Sequence, residues 1–326
     1  MDHRERLAHV INREKTDRVP VAFWRHFPVD DQQPESLAAS TLSFQRQFDL
    51  DFVKVTPASS FCVKDWGMDD AWRGNSEGTR DYLKPIISKP QEWGKFSKLN
   101  PKKGHLKAQI RCLDILKNEL PAETPFIQTI FSPLTQAKNL VGKNQLIIHL
   151  RLYPDEVEKG LQTITQTTID FIDECSKSGI DGIFFAEQFA SYDLLTEDEF
   201  LRFGKKFDEK IHDFVNKFWL NVLHIHGQHI MFDQMADFPY QIFNWHDRET
   251  FPNLRDGKAK LQKAVCGGLS RLDAMVMGDA KLIRKEIDES LTQVQSSGFV
   301  LGTGCVLPLT TPIGNIRTAI EYIRSQ

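Results

Sequence analysis

The feature that most constrains the fold is an alternation of short apolar runs with longer amphipathic stretches along the whole chain. Each run is too short for a typical helix, and most are almost continuously apolar, as in strands buried on both faces. Eight runs are present: Val19–Trp24, Phe52–Pro57, Pro125–Phe131, Ile180–Ala186, Leu220–Ile225, Tyr240–Trp245, Ala264–Leu269 and Gly298–Gly302. Strands that alternate with helices in this way indicate a parallel sheet built from βα units.

The stretches between the runs have helical periodicity. The clearest is Asp155–Ser178, in which apolar residues recur at helical spacing before Gly179 ends the helix. Eight strands with interleaved helices predict an α/β protein of the (β/α)8 or TIM-barrel class, with a doubly wound open sheet as the alternative. Because such barrels routinely reach this length, we expect residues 1–326 to form one domain. The long connection at about 58–124, after the second strand, is an insertion that we expect to shape or cover the site.

The charge balance indicates the class of partner. The chain has 41 Lys and Arg against 44 Asp and Glu, a net charge of −3, and no long run of one sign. It therefore lacks the electrostatic footprint of a protein that binds nucleic acid or an anionic membrane, and we expect a small-molecule substrate. The amino terminus is charged and no window is apolar for the length of a membrane span, so the expected location is cytoplasmic.

The cysteines do not form a recognisable framework. They are five in number, scattered, and never spaced as Cys-x-x-Cys, which argues against disulfide pairing or a zinc ribbon. Cys112 and Cys175 lie within helical patterns and are expected to be buried packing residues.

Two segments place metal-ligand residue types at strand ends. In Leu220–Gly227, His224 and His226 are two residues apart and therefore project from the same side of the strand, towards the barrel mouth. In Gly298–Pro308, glycines allow tight turns that present Cys305 just beyond the last strand. His224, His226 and Cys305 together predict a three-ligand zinc site with an open fourth position, as catalytic zinc requires. The alternative is that the histidines are hydrogen-bonded core residues.

Three further stretches resemble successive landmarks of the uroporphyrinogen decarboxylase-like superfamily. They are Leu195–Phe203, His224–Gly227 and Gly302–Asn315, within a resemblance that extends from about Arg4 to Arg324. The resemblance implies a (β/α)8 barrel. The superfamily holds both haem-pathway decarboxylases and zinc-dependent methylcobamide:thiol methyltransferases.

The decarboxylase branch is matched poorly. Its members carry two arginines after the first strand for the carboxylates of the porphyrinogen, whereas the matching segment here, Arg25–Val29, keeps only the first. They also carry an aspartate after the second strand, whereas that strand here ends in Lys54–Pro57 without an acid. A substrate with eight carboxylates needs such cationic partners, so we expect negligible turnover of uroporphyrinogen.

The methyltransferase branch is matched better. Its members carry His-x-Cys-Gly after the fifth strand and Gly-Cys after the eighth as zinc ligands. The chain retains the histidine at His224 and the later cysteine at Cys305, and has His226 where the family has cysteine. Imidazole is an acceptable zinc ligand, so the resemblance implies a zinc site with one less negative charge.

The leading prediction is therefore a zinc-dependent methyltransferase that activates a thiol for methyl transfer from a corrinoid, with a corrinoid protein as a partner, or from a small methyl donor. No nucleotide cofactor is expected. One alternative is a metal-free decarboxylase of uroporphyrinogen or another aromatic polycarboxylate in porphyrin metabolism. A second alternative is a non-catalytic barrel that binds a tetrapyrrole or corrinoid.

Other residues at predicted strand ends complete the candidate site. Glu187 ends the fourth strand, near a family acidic residue, and is the candidate catalytic group that accepts a hydrogen bond from substrate. The remaining candidates lie at the ends of the first, second and sixth strands, where they could bind substrate or form the pocket wall: Arg25, His26, Lys54, Trp245 and His246.

Overall fold

The computed structural model of the chain describes residues 1–295 and 297–326. Within these residues the strands are β1 (Val53–Val55), β2 (Asp70–Ala71), β3 (Asp81–Tyr82), β4 (Phe126–Phe131), β5 (Gly182–Glu187), β6 (Val222–Ile225), β7 (Ile242–Trp245), β8 (Ala264–Leu269) and β9 (Phe299–Thr303). The α-helices are α1 (His3–Ile11), α2 (Pro34–Phe48), α3 (Gly104–Glu119), α4 (Pro133–Val141), α5 (Lys143–Leu152), α6 (Pro154–Lys177), α7 (Glu197–Phe200), α8 (Lys206–Val215), α9 (Phe232–Met235), α10 (Leu254–Leu261), α11 (Ala280–Val294) and α12 (Ile313–Arg324).

Seven of these strands form one parallel sheet in the order β1-β4-β5-β6-β7-β8-β9. The strands of this sheet are buried along their whole length, in agreement with their continuous apolar sequences. Helices intervene between successive strands, so the sheet curls into a TIM-barrel-like α/β fold, and the predicted fold class is confirmed.

The first predicted strand, Val19–Trp24, is not a regular strand. Val21 forms a single parallel bridge with Leu301 of β9. On its other side, the Val21 carbonyl accepts a hydrogen bond from the amide of Asp51, just before β1. The segment thus occupies the eighth position and connects the two edges of the sheet. Its pairing stays short because Pro20 has no N–H to donate.

Asp51 ties the amino-terminal side of the barrel together. Its buried carboxylate accepts hydrogen bonds from the side chains of His3, Arg6 and Arg18, at 3.0, 2.7 and 2.7 Å. It also accepts one from the Val21 amide at 2.8 Å. Helix α1 and the segment before β1 are therefore held against the amino end of the sheet by one charged group.

The insertion at 58–124 contains the β2–β3 hairpin and α3. Trp93, fully buried, donates a hydrogen bond from Nε1 to Nδ1 of His149 at 3.0 Å and packs over Gly160 of α6. Residues on the hairpin side of the insertion, Glu77 to Tyr82, reach the carboxyl ends of the barrel strands and line a cavity there. The expectation that the insertion shapes the site therefore agrees with its position.

Candidate metal centre and cavity

A cavity of about 280 Å³ lies at the carboxyl ends of the barrel strands. Its walls come from alternate residues of the strands, such as Lys54 and Thr56, or Phe184 and Ala186, because every second side chain faces the barrel interior. The insertion contributes a further wall. The volume is at the lower end of the range of small-molecule sites.

Four side chains converge at one side of this cavity. His224 and His226 come from the end of β6, His246 follows β7, and Cys305 follows β9. Each offers a nitrogen or sulfur atom, and these four atoms all lie within 4.8 Å of one another. The structure thus brings together His224, His226 and Cys305, the three residues proposed from the sequence as zinc ligands, and adds His246.

The distances within this cluster suit zinc. Cys305 Sγ lies 3.7 Å from Nε2 of His224 and 3.7 Å from Nδ1 of His226. His246 Nε2 lies 3.3 Å from Nδ1 of His226. In a tetrahedral zinc site with Zn–N bonds near 2.0 Å and Zn–S bonds near 2.3 Å, two nitrogens lie about 3.3 Å apart and a nitrogen and a sulfur about 3.5 Å apart. The donor types and their spacing therefore fit a zinc ion without a change of backbone.

The electrostatics of the cluster favour an ionised thiol. Burial opposes ionisation of Cys305, but His224, together with hydrogen bonds from His226 and His246, lowers the pKa of the thiol well below its usual range. Burial lowers the pKa of His224, which favours its neutral form. A thiolate and neutral imidazoles are the protonation states that bind zinc.

The cavity beside the cluster is cationic. Lys54 is buried against the ring of Phe184, with Nζ 4.6 Å from the ring centroid, and burial lowers its pKa to about 7. Lys138 of α4 also lines the cavity, and burial lowers its pKa to about 8. In the described part of the chain, neither lysine forms a salt bridge. His26 lies in the same wall, and burial, followed by the charge of Lys54, lowers its pKa to about 3.

Two residues expected in the pocket wall point elsewhere. Trp24 and His26 line the cavity, whereas Arg25, between them, lies in a crevice with Phe27 on the outer side of the barrel. Trp245 likewise faces outwards: it is fully buried, packs edge-on against Phe232 and donates from Nε1 to the carbonyl of Pro252. The substrate-binding assignment of Arg25 and Trp245 was wrong because side chains alternate along a strand, and both occupy the outward positions.

Glu187 also lies outside the cavity. Phe184 and Ala186 of β5 line it, whereas the carboxylate of Glu187 accepts the Phe189 amide and lies beside Asp208 of α8. Burial raises the pKa of Glu187, and burial together with Glu187 raises that of Asp208. The sequence-based assignment of Glu187 as a catalytic group therefore has no support in its position, which is in the layer between sheet and helices.

Sequence reasoning assigned His246 to the pocket wall and missed its place in the cluster. The signal was available: His246 is two residues after Asn244, and Asn244 pairs in register with His224 on the neighbouring strand. Lys138 and Arg80 of the cavity were also missed, because one lies on α4 and the other in the insertion, where no strand pattern places them.

The barrel with a His/Cys cluster at its carboxyl end defines a small-molecule site of the TIM-barrel enzyme type. Residues 2–326 match the family described as Uroporphyrinogen decarboxylase (URO-D), and the chain belongs to this family. Among the helices of residues 1–295 and 297–326, none combines the length and apolarity that crossing a membrane requires.

The curated relatives are methyltransferases. The chain is 24% identical over 223 residues to the methylcobamide:CoM methyltransferase MtaA of Methanosarcina barkeri, and 22% identical over 223 residues to MtaA of Methanosarcina barkeri (strain Fusaro / DSM 804). Each alignment covers 67% of this chain, and the chain spans 63% of the length of these relatives.

Solved structures share the fold. A methyltransferase from Methanosarcina mazei superposes with a TM-score of 0.85 at 21% identity, covering 100% of this chain and 98% of that one. A B12-independent methionine synthase from Shewanella sp. W3-18-1, in complex with selenomethionine, superposes with a TM-score of 0.62 at 12% identity, covering 94% and 96%. At these identities the likeness concerns the fold.

Proposed function

We propose that the protein is a zinc-dependent methyltransferase that activates a thiol for methyl transfer from a corrinoid or a small methyl donor. The observation that carries this proposal is the convergence of His224, His226 and Cys305 beside the cavity, with Cys305 3.7 Å from each histidine. The methyltransferase relatives support the reaction class. The residues that would hold the zinc are these three, together with or exchanging with His246.

When bound, zinc would supply a Lewis acid that lowers the pKa of a substrate thiol, so that the thiol reacts as a thiolate at neutral pH. The protein's own contribution is to orient the sulfur and to exclude water. His224, His226 and Cys305 line the same cavity as Phe131 and Phe184, so the sulfur would be held between the cluster and aromatic walls. Such a partly apolar pocket favours attack on carbon over solvation of the nucleophile.

The transfer itself balances without a further reagent. The sulfur of the thiolate forms a bond to the methyl carbon, and the bond between that carbon and its carrier breaks. With a methylated corrinoid, the electron pair stays on cobalt, which becomes cob(I)alamin, and the product is a methyl thioether. The thiol proton passes to solvent. A corrinoid protein is the partner that this reaction requires when the donor is protein-bound.

The cationic groups of the cavity favour a thiol that carries an anionic group. Lys54 and Lys138 both face the cavity, and within residues 1–295 and 297–326 neither pairs with a carboxylate. A buried cation without a counter-ion is costly, so a carboxylate or sulfonate of the substrate would stabilise both lysines. We therefore assign these two residues to substrate binding, with His26 in the same wall.

Decarboxylation of a porphyrinogen has less support. Arg25, the arginine retained from the decarboxylase pattern, lies outside the cavity. Among the residues that line the cavity, the carboxylate is that of Glu77, which pairs with Arg271. A carboxylate committed to an arginine is poorly placed to hold the pyrrole N–H groups of such a substrate.

The test combines metal analysis with turnover. Protein purified without chelator and supplied with zinc is mixed with methylcobalamin and a thiol, and cob(I)alamin formation is followed by absorbance under anaerobic conditions. We expect transfer with wild-type protein and none with Cys305→Ser, whereas Cys112→Ser, in the helix α3, should behave as wild type. Absence of transfer to 2-mercaptoethanol, 2-mercaptoethanesulfonate and 3-mercaptopropionate, from methylcobalamin and from a small methyl donor, would contradict the proposal. Decarboxylation of uroporphyrinogen by the metal-free protein would favour the alternative.

A further inference from the structure

We infer that His246 is a fourth protein ligand of the zinc centre, and that it gives up its place when the substrate thiol binds. The inference rests on the proposed function and extends it. It predicts a His3Cys ligand set for the thiol-free protein, which differs from the three-ligand set with an open position that the sequence indicated.

The first argument is geometric. The 3.3 Å separation between His246 Nε2 and His226 Nδ1 is that of two nitrogens on one tetrahedral zinc. All four donor atoms lie within 4.8 Å, and the ring centroids of His226 and His246 are 4.9 Å apart in an edge-on arrangement. A direct hydrogen bond between two neutral imidazoles would need one nitrogen protonated, whereas zinc satisfies both lone pairs at once.

The second argument concerns the other nitrogen of His246. Its Nδ1 lies 3.3 Å from Oε2 of Glu249, on the turn that follows β7. A zinc-bound histidine typically donates its second N–H to a carboxylate, which fixes the tautomer and raises the basicity of the ligand. Glu249 therefore prepares Nε2 of His246 for the metal, and the side chain of His246 is only 4% exposed.

The third argument identifies His246 as the ligand that leaves. His224 is fixed by the buried side chain of Asn244, while Cys305 and His226 form part of the cavity wall through which a thiol arrives. His246 lies behind them, outside the residues that line the cavity, and its imidazole retains a partner in Glu249 when it moves. Four protein ligands leave no tetrahedral position free, so the incoming sulfur replaces the one with an alternative partner.

Glu249 also connects this ligand to the cavity wall. Arg271 lies 3.6 Å from Glu249 and forms a salt bridge with Glu77, which belongs to the insertion and lines the cavity. Substrate contact with Glu77 can thus reach His246 through two charged side chains. This chain is a positioning device for the metal ligand.

The test uses the metal itself as reporter. X-ray absorption of the zinc protein should show about three nitrogens and one sulfur without thiol, and two nitrogens and two sulfurs with 2-mercaptoethanesulfonate. In the cobalt(II) form, the thiol-free spectra of wild type and His246→Ala should differ, whereas their thiol-bound spectra should coincide. His229→Ala, which removes an exposed histidine paired with Asp193, is the control and should match wild type in both states.

Zinc affinity gives a second readout. His246→Ala should bind zinc at least about a hundredfold more weakly, and Glu249→Gln, which leaves the packing of the buried ring intact, about tenfold more weakly. His246→Ala should also bind the thiol more tightly, since no protein ligand is displaced. A thiol-free wild type with two nitrogens, one sulfur and a water oxygen, unchanged by His246→Ala, would overturn this inference and leave the proposed function standing. A wild type that binds no zinc would overturn both.

Discussion

Nδ1 of His224 lies 2.7 Å from Oδ1 of Asn244, and this contact sets the tautomer of the histidine. The Nδ2 group of Asn244 donates to the carbonyls of Cys266 and Thr303, at 2.9 and 3.0 Å, so the amide orientation is fixed by two acceptors. Oδ1 must then accept from His224, which places the imidazole proton on Nδ1. Nε2, which faces Cys305, is left with a free lone pair for a metal.

Asn244→Ala should therefore weaken zinc binding. Loss of the orienting partner of a zinc-bound histidine reduces metal affinity by about 10- to 100-fold, and we expect an effect of this size in a competition titration with a chelator. Asn315→Ala is the matched control, because Asn315 also donates to backbone carbonyls, those of Met275 and Gly278, but far from the cluster in sequence and contacts. Equal zinc affinity in Asn244→Ala and wild type, with both folded, would argue against this role.

Lys54→Met should alter thiol selectivity. If Lys54 binds the anionic end of the substrate, its loss should raise the KM for 2-mercaptoethanesulfonate about tenfold or more, as expected for a hydrogen bond to a charged group. The KM for 2-mercaptoethanol should change little. Lys143→Met, at an exposed lysine of α5, should leave both values at those of the wild type. A uniform loss of activity with both thiols would instead assign Lys54 a structural role.

Glu187→Gln should leave zinc binding and methyl transfer intact, because this carboxylate lies between sheet and helices rather than in the cavity. Burial raises the pKa of Glu187 and of Asp208 beside it, so the pair holds a proton that is shared or lost only at high pH. The substitution removes one of two buried carboxyls, and we expect the free energy of unfolding at alkaline pH to rise. Turnover reduced a hundredfold in a stable, zinc-loaded variant would restore Glu187 as a catalytic candidate.

Asp51 should make stability depend on pH at the acidic end. Burial alone would raise its pKa, but hydrogen bonds from His3 and Arg18 lower it to about 2. A folded-state pKa below the unfolded value means that the stabilisation is complete above about pH 4 and is lost as the pH falls towards 2, by about 2 kcal/mol. Urea unfolding between pH 5 and pH 2 measures this loss.

The matching variants test the same hub directly. Asp51→Asn should cost about 3–5 kcal/mol at neutral pH, since it leaves buried arginines without a counter-ion, and it should flatten the acid dependence. Asp49→Asn, at a carboxylate that is 62% exposed, should change stability far less. A steep loss between pH 4 and pH 2 that persists in Asp51→Asn would place the responsible carboxylate elsewhere.

The fold was predictable because its strands are buried on both faces and therefore read as continuous apolar runs. Seven of the runs coincide with strands to within a few residues, as in Ala264–Leu269, which is matched residue for residue. The first run was over-extended because Pro20 interrupts the donor pattern, a local effect that outweighs apolar character. Helix α2 was not singled out, since its apolar residues are interspersed with polar ones such as the buried Thr41 and Gln45.

The candidate site was predictable only in part. Strand alternation and a turn after the last strand were sufficient to unite His224, His226 and Cys305. The orientation of Arg25, Glu187 and Trp245 was not deduced, because strand-end residues were treated as one layer although their parity decides whether they face the cavity. The cavity residues of the insertion could not be placed from sequence, since an irregular segment of that length carries no periodic signal.

The most direct test of the central claim is the zinc content of the wild type and of the triple variant His224→Ala, His226→Ala, Cys305→Ser, measured by elemental analysis after dialysis against buffer without chelator. The account predicts one zinc per chain in the wild type and in Cys112→Ser, and none in the folded triple variant. Equal zinc content in the wild type and the triple variant would contradict the site, and with it the methyl-transfer mechanism.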